Sequence, residues 1–422
     1  MDLIIMHLKR TWIYTIKPIS SLLSFSLLGL LSFQLHADWS GNVTMQDRYF
    51  IDDALITNSE QHDNYLSLSS EVEFYSAWDN DESSITITPF LRIDQHDEER
   101  THGDLREMYY QQTFDTWELR LGISKVYWGV TESQHLVDVI NQTDSIESTD
   151  GEDKLGQPMI KASFERDWGT VDVFVLPYFR ERTFQGIEGR PRTPLVVDTD
   201  QVSYESSDEE QNIDYALRWF HFIGDLEIGL SYFNGTSREP LLKPGNSNGP
   251  AVLTPHYPLM QQAGVDAQLT TEEWLWKLEV IARDWQTFDT SGTQLIDQNF
   301  IALTGGFEYT FVGIADSDAD LGLVTEYLYD DRNKQASSFF QNDMLVALRL
   351  AMNDAESSEA LLGVIYDLDY QEYLISLEAS RRFADSWTAT LEVRTFNKID
   401  NDSLLNSIAK DDFIQLDIAY HF

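Results

Sequence analysis

Apolar and polar residues alternate with period two along most of this chain. In "SITITPFLR", Ile85, Ile87 and Leu91 share one face while Thr86, Thr88 and Arg92 take the other. "WELRLGI" sets Trp117, Leu119, Leu121 and Ile123 against Glu118 and Arg120, and "TLEVRTF" sets Leu391 and Val393 against Glu392 and Arg394. The last residues, "DFIQLDIAYHF", place Ile414, Leu416, Ile418, Tyr420 and Phe422 on one side and Gln415, Asp417, Ala419 and His421 on the other. A helix there would put Asp417 and His421 on the stripe of Ile418, so period two reads as strand with one face in an apolar medium.

Alternation and turn signals predict strands at 39–50, 64–77, 83–94, 104–114, 116–128, 157–166, 168–179, 212–222 and 225–234. Further strands are predicted at 259–269, 273–285, 298–311, 321–330, 341–352, 359–367, 371–382, 387–397 and 412–422. The connections sort by length. One set is short ("WDNDESS", "FDT", "RDWG", "IGD", "TTEE", "FADS"), and the alternate set includes the long stretches 129–156, 180–211, 235–258, 286–297 and 398–411. Exceptions are 312–320, 353–358 and the tight hairpin "DLDYQE". A closed up-and-down transmembrane barrel sorts its connections this way, with short periplasmic turns and longer outer loops. Trp39, Trp78, Trp117, Trp168, Trp274 and Trp387 all fall beside the predicted short turns or the first strand's start, where an interfacial girdle needs them. The fold class is therefore all-β: a closed antiparallel barrel of about eighteen strands, with sixteen the next choice.

Composition refines this picture. Lys9, Arg10 and Lys17, the apolar run "ISSLLSFSLLGLLSFQL" and "LHA" follow the order of a secretory signal peptide, cleaved after Ala37, so 1–37 is expected to be removed and 38–422 to form a single barrel domain. No other run is long and apolar enough for a membrane helix. The net charge of −42 becomes more negative once that basic leader is gone, which excludes a nucleic-acid partner. An acidic surface suits saline water or bridging divalent cations. The chain has no cysteine, which excludes disulfides and thiolate metal sites.

The leader, the alternating strands and the terminal "LDIAYHF" resemble Gram-negative outer-membrane β-barrels of the porin-like class. The resemblance implies an outer-membrane location, surrounding lipid, and an assembly signal at Tyr420 and Phe422 read by the barrel-assembly machinery. A narrower likeness lies in "LGISKVYWGVTESQHLVDVINQTD", where Trp128, Gly129, Asp138, Val139 and Asn141 are similar to a loop motif of uncharacterised porin-like families, with Val130 where a glutamate is expected.

With apolar faces outward, Arg92, Glu118, Arg120, Arg218, Arg349, Glu392, Arg394, Asp417 and His421 face the lumen. Such charges either set a pore's selectivity or pair across strands and hold the wall. The loop 129–156 is the candidate constriction: "SQHLVDVI" has apolar surface to bury, and Asp138, Asn141, Asp144, Glu147 and Asp150 would then reach the opening. An external cap is the alternative. "ADSDADLG" (315–322) has alternating acids but lacks the glycine and distal glutamate of a calcium loop, and "DEE" (208–210) reads as loop surface. His62-Asp63 and Ser133 near His135 are the enzymatic candidates, and no H-E-x-x-H, G-x-S-x-G or phosphate loop occurs.

The expected function is diffusion of small hydrophilic solutes, without cofactor or catalysis and with a homo-oligomer allowed. The rivals are a transporter of hydrophobic small molecules and an outer-membrane hydrolase with a site at the rim.

Overall fold

The computed structural model describes residues 36–422 except 56–59, 149, 248 and 289–293. The expected signal peptide lies outside these residues, apart from His36 and Ala37 at the start of the first strand. The chain opens with β1 (His36–Phe50), β2 (Asn64–Trp78), β3 (Ser83–Asp94), β4 (His102–Phe114), β5 (Trp117–Ser124), β6 (Gln157–Arg166) and β7 (Gly169–Leu176). The short β8 (Ser203–Tyr204) precedes β9 (Asp214–Ile223) and β10 (Leu226–Thr236), and the hairpin β11 (Leu241–Asn246) and β12 (Ala251–Tyr257) precedes β13 (Leu259–Thr271) and β14 (Trp274–Asp284). A small hairpin, β15 (Gln286–Phe288) and β16 (Leu295–Asp297), leads to β17 (Phe300–Phe311), β18 (Asp320–Asp330), β19 (Asn342–Ala351) and β20 (Glu359–Asp367). The chain finishes with β21 (Tyr373–Ala384), β22 (Trp387–Asn397) and β23 (Phe413–His421).

Eighteen of these strands form one antiparallel sheet that closes on itself. Each pairs with its neighbour in the chain, and β23 pairs with β1 from Asn42 opposite His421 to Phe50 opposite Phe413. Closure leaves no edge, which is the condition for sheet structure inside a bilayer. Among the described residues no helix is long and apolar enough to cross a membrane.

All eighteen predicted strands are present, several with the expected bounds, because the solvents on the two faces differ so sharply. On β2, Leu66 and Leu68 are exposed to the outside while Ser67 and Ser69 between them are buried; on β3, Leu91 and Ile93 alternate with buried Arg92 and Asp94. The connections 312–319 and 352–358, longer than their class, stay at the short-turn end. At that end Trp39, Trp168, Trp274 and Trp387 are exposed on the outer face, with Phe114 stacked on Trp117 at 4.1 Å and Trp387 tilted against Tyr420 at 5.1 Å.

The structure departs from the sequence reading in three places. The strand expected over 116–128 stops at Ser124, because the following residues turn into the barrel. The long-loop end carries strands of its own: β11, β12 and β8 make a three-stranded sheet, and β15 pairs with β16. The inward faces are not uniformly polar either. Met159, Phe174, Leu176, Ala216, Phe233, Met260, Ile281 and Phe300 all point inward and form one core with Trp128, Val137, Val139 and Ile140 of the loop after β5.

Candidate functional site

The loop 125–156 crosses the barrel interior. Its ends are clasped by Asn141, whose Nδ2 donates to the carbonyls of Ser124 and Leu155, both at 2.9 Å, while its Oδ1 accepts the Val126 N–H at 2.9 Å. The far side of the loop is held by two wall glutamates. Glu279 on β14 accepts from the N–H groups of Val130 (2.7 Å), Thr131 (3.0 Å) and Val137 (3.2 Å) and from the Thr131 hydroxyl (2.7 Å). Glu326 on β18 accepts from the N–H groups of Glu132 (2.7 Å) and Ser133 (2.9 Å) and the Ser133 hydroxyl (2.6 Å). Both carboxylates are almost fully buried, and each such charge-assisted bond contributes about 1.5–3 kcal/mol.

Gly129 makes this approach possible. Its φ is +115°, and a Cβ there would lie 2.8 Å from Glu279 Oε1 and 2.7 Å from the His135 ring, so no other residue fits without displacement. Trp128 before it packs edge-on against Phe174 at 5.7 Å.

The loop divides the lumen. On the β6–β17 side its apolar residues fill the interior with the core described above. On the other side lies a cavity of about 320 Å³, bounded by the loop and by β21, β22, β23, β1, β2, β3 and β4. Charges of both signs line it, including Arg48, Arg92, Arg394, Glu71, Glu378 and Glu392.

The predicted lumen residues fall into three groups, with His421 apart from them. Arg92, Glu392, Arg394 and Asp417 line the cavity; Arg92 donates to both Glu147 oxygens at 2.9 Å, and Arg394 reaches Glu392 at 2.5 Å and Asp150 at 2.8 Å. Glu118 and Arg120 face inward on β5 and share Gln111 of β4. Arg218 and Arg349 are committed elsewhere: Arg218 makes a two-pronged pair with Asp266 at 2.8 Å beside Trp128, and Arg349 lies 2.6 Å from Glu132 of the loop. His421 is exposed at the short-turn end of β23.

Of the loop residues, Glu147 and Asp150 border the cavity, whereas Asn141 is the clasp. Asp144 is spent on Arg106 (2.5 Å) and the Thr183 hydroxyl (2.6 Å). Asp138 is buried beside Lys154 at 3.6 Å and accepts no hydrogen bond among the described residues. Burial pushes its carboxyl up to about 6 despite Lys154. Burial also raises that of Glu147, but the guanidinium groups of Arg92 and Arg100 outweigh it and hold Glu147 below the usual range.

A β-bulge increases the density of inward charge. Pro89 on β3 has no N–H to give, and the register with β4 shifts there from Thr88–Glu107 to Pro89–Leu105. The extra residue is Arg106, so adjacent Arg106 and Glu107 both point inward: Arg106 to Asp144, Glu107 to the Lys125 N–H at 3.1 Å.

A strap from the loop 177–213 roofs the long-loop end over this cavity. Arg190, with no exposed side-chain surface, donates to Asp411 (2.6 Å) and to the carbonyls of Asp52 (2.8 Å) and Lys410 (2.7 Å), and lies 4.2 Å over Phe50. Tyr65 donates to the Glu188 carbonyl at 2.5 Å, and Gln61 to that of Gly189 at 2.7 Å. Glu279, Glu326, Arg48 and Arg190 were not among the predicted site residues.

The enzymatic candidates do not converge. Ser133 binds Glu326, His135 lies 3.6 Å from Glu279, and His62 stacks on His96 at 3.6 Å and faces Glu188 at 3.8 Å, not Asp63. Near "ADSDADLG", Asp320 accepts the Gly313 N–H at 2.9 Å and the Asn353 side chain at 2.9 Å, and "DEE" enters a single 3₁₀ turn at Glu209–Gln211.

No family model matches the chain, and neither does any curated protein. Solved structures do. Wzi, an outer-membrane protein involved in group 1 capsule assembly in Escherichia coli and a carbohydrate-binding β-barrel, is 12% identical over 92% of this chain and 85% of that one, with a TM-score of 0.52. A loop-deletion mutant of OmpT, an outer-membrane protein of Vibrio cholerae, is 10% identical over 92% and 99%, with a TM-score of 0.47. A mutant porin of Rh. blastica is 10% identical over 92% and 100%, at 0.42. Closure, antiparallel order and the outward apolar band agree with the first of these likenesses: the chain has the fold of a closed antiparallel β-barrel, built from eighteen strands.

Proposed function

We propose that this protein is an outer-membrane channel for the diffusion of small hydrophilic solutes. The observation that carries the reading is the division of the lumen, with an apolar core on one side and a charged cavity of about 320 Å³ on the other. Polar solutes with their water fit a wall of alternating arginines and carboxylates, which replaces lost hydration and discriminates by charge. A hydrophobic cargo needs an open apolar path, but Val137 and Ile140 fill the apolar half with no exposed surface. Outer-membrane lipid surrounds the apolar band, and the terminal Tyr420 and Phe422 serve assembly.

The full-length protein, reconstituted in planar bilayers, tests this directly. Stepwise ion currents are expected, and deletion of 133–148 should enlarge them. A barrel that inserts correctly but conducts no current would sink the proposal.

A further inference from the structure

Gln415 holds apart two charges that face the same cavity. Its Oε1 accepts from Arg48 Nε at 2.7 Å, and its Nε2 donates to Asp417 Oδ2 at 2.9 Å. The β1–β23 register explains the placement: Arg48 lies opposite Gln415, and Gln46 opposite Asp417. All four side chains line the charged cavity. A primary amide is planar and of fixed length, with acceptor and donor at its two ends, so it works here as a spacer.

What the spacer leaves over is the informative part. Arg48 is only 8% exposed, lies 4.9 Å over the Phe413 ring, and makes no ion pair among the described residues. Its terminal nitrogens donate to no protein group among those residues. Asp417 Oδ1 is shielded from water and likewise accepts nothing. Other inward arginines nearby are used up: Arg92 by Glu147, Arg100 by Asp94 and Gln46, Arg106 by Asp144, and Arg394 by Glu392 and Asp150.

Among the described residues the Arg48 terminal nitrogens open onto the cavity without a protein partner, and Asp417 has one oxygen unpaired, so direct pairing would satisfy both. Gln415 prevents that pairing. A ligand carrying both charges pairs with each instead, its carboxylate accepting two parallel N–H bonds from the terminal nitrogens of Arg48 and its ammonium lying against the Asp417 carboxylate where that residue lines the cavity. The cavity has the volume of about ten water molecules, enough for a small amino acid and some of its hydration.

We propose that Arg48 and Asp417, spaced by Gln415, form a binding site for small zwitterions of the amino-acid class. The inference rests on the channel reading and names the solute class that it favours.

Swelling of proteoliposomes containing the full-length protein separates the two claims. Glycine carries both charges yet no net charge, so its flux builds no potential, and erythritol is an uncharged control. Glycine is expected to enter about fivefold faster than erythritol, relative to size. Arg48→Gln and Asp417→Asn should each bring glycine entry down to the size-scaled erythritol rate, with both variants still migrating as folded barrels before heating. Erythritol entry without a glycine preference in the wild type overturns the zwitterion site and leaves the channel standing. A preference that survives both substitutions also overturns it. Entry of neither solute overturns both.

Discussion

The Glu132 carboxylate lies 2.6 Å from the Arg349 guanidinium, although the strand that delivers Glu132 and the strand that bears Arg349 are nine apart in a ring of eighteen. The loop after β5 therefore spans the lumen from wall to wall. Lys277 on β14 also faces Glu132, at 3.7 Å, but the backbone does most of the anchoring through Glu279 and Glu326. A carboxylate that accepts successive N–H groups fixes a loop more firmly than an ion pair between long side chains.

Replacing Glu279 and Glu326 together by alanine should release the loop without opening the barrel. Seven accepted hydrogen bonds are lost, four at Glu279 and three at Glu326. At about 1.5–3 kcal/mol each, this exceeds what the apolar contacts of Val137 and Ile140 can hold in one place. Single-channel recording should show larger mean conductance with frequent partial closures. Conductance equal to wild type would mean that the loop does not set the narrowest point.

Much of this fold was legible in the sequence, and the reason is physical. A strand between lipid and a wet or tightly paired interior must alternate, so Leu66, Leu68, Leu91 and Ile93 announce their face regardless of what they touch. The candidate site was less legible. Phe174, Phe233 and Met260 point inward because a loop distant in sequence supplies Val137 and Ile140 to cover them, and alternation does not show which strand's inner face will be covered. Glu279 and Glu326 read as ordinary inward charges, and their role exists only once the backbone of 130–133 arrives. "LLKPGNSNGPAVL" reads as loop because of its Pro and Gly residues, yet Leu241 pairs with His256 and Asn246 with Ala251 around that turn.

The strap over the cavity should open when Arg190 is lost. Arg190→Ala strands Asp411 and two carbonyls that it satisfies together, and it removes the stacking on Phe50. The absence of cysteine makes a clean reporter available. Ser148 lines both the charged cavity and the small space beneath the strap, so Ser148→Cys reports access. A membrane-impermeant maleimide added from outside should label it slowly in the otherwise wild-type protein and at least several-fold faster with Arg190→Ala. Equal rates would show that the strap does not control access.

Asp138 should make the seating of the loop depend on pH. Its carboxyl is pushed up to about 6 by burial, above the value of about 3.9 in an unfolded chain. The seated state thus binds the proton more tightly than the released state, and its stability falls as pH rises from about 4 through 6, then levels off. The shift corresponds to about 3 kcal/mol at most. Asp138→Asn removes the dependence, so the variant should resist thermal loss of barrel mobility better than wild type at pH 7 and equally at pH 4. A gain of the same size at both pH values would contradict the account.

Phe422 should matter for closing the barrel more than for anything that passes through it. Its N–H donates to the Gly41 carbonyl and its carbonyl accepts the Gly41 N–H, both at 3.1 Å, so the last residue seals the β23–β1 seam at the short-turn end. Its ring comes within 3.1 Å of the site where a Gly41 Cβ would sit, and stacks on Tyr420 at 6.3 Å. Removing Phe422 deletes two hydrogen bonds that close the end of the seam, together with an aromatic anchor at the interface. Phe422→Asp keeps the backbone bonds but sets a charge among Tyr420, Trp387 and the bilayer boundary. Both variants should reach the outer membrane in much smaller amounts, measured as heat-modifiable barrel in membrane fractions. The molecules that do assemble should show wild-type unit conductance, since Phe422 is far along β23 from Gln415 and Asp417 at the cavity. Full outer-membrane levels of the deletion variant would show that the β1–β23 seam closes without it.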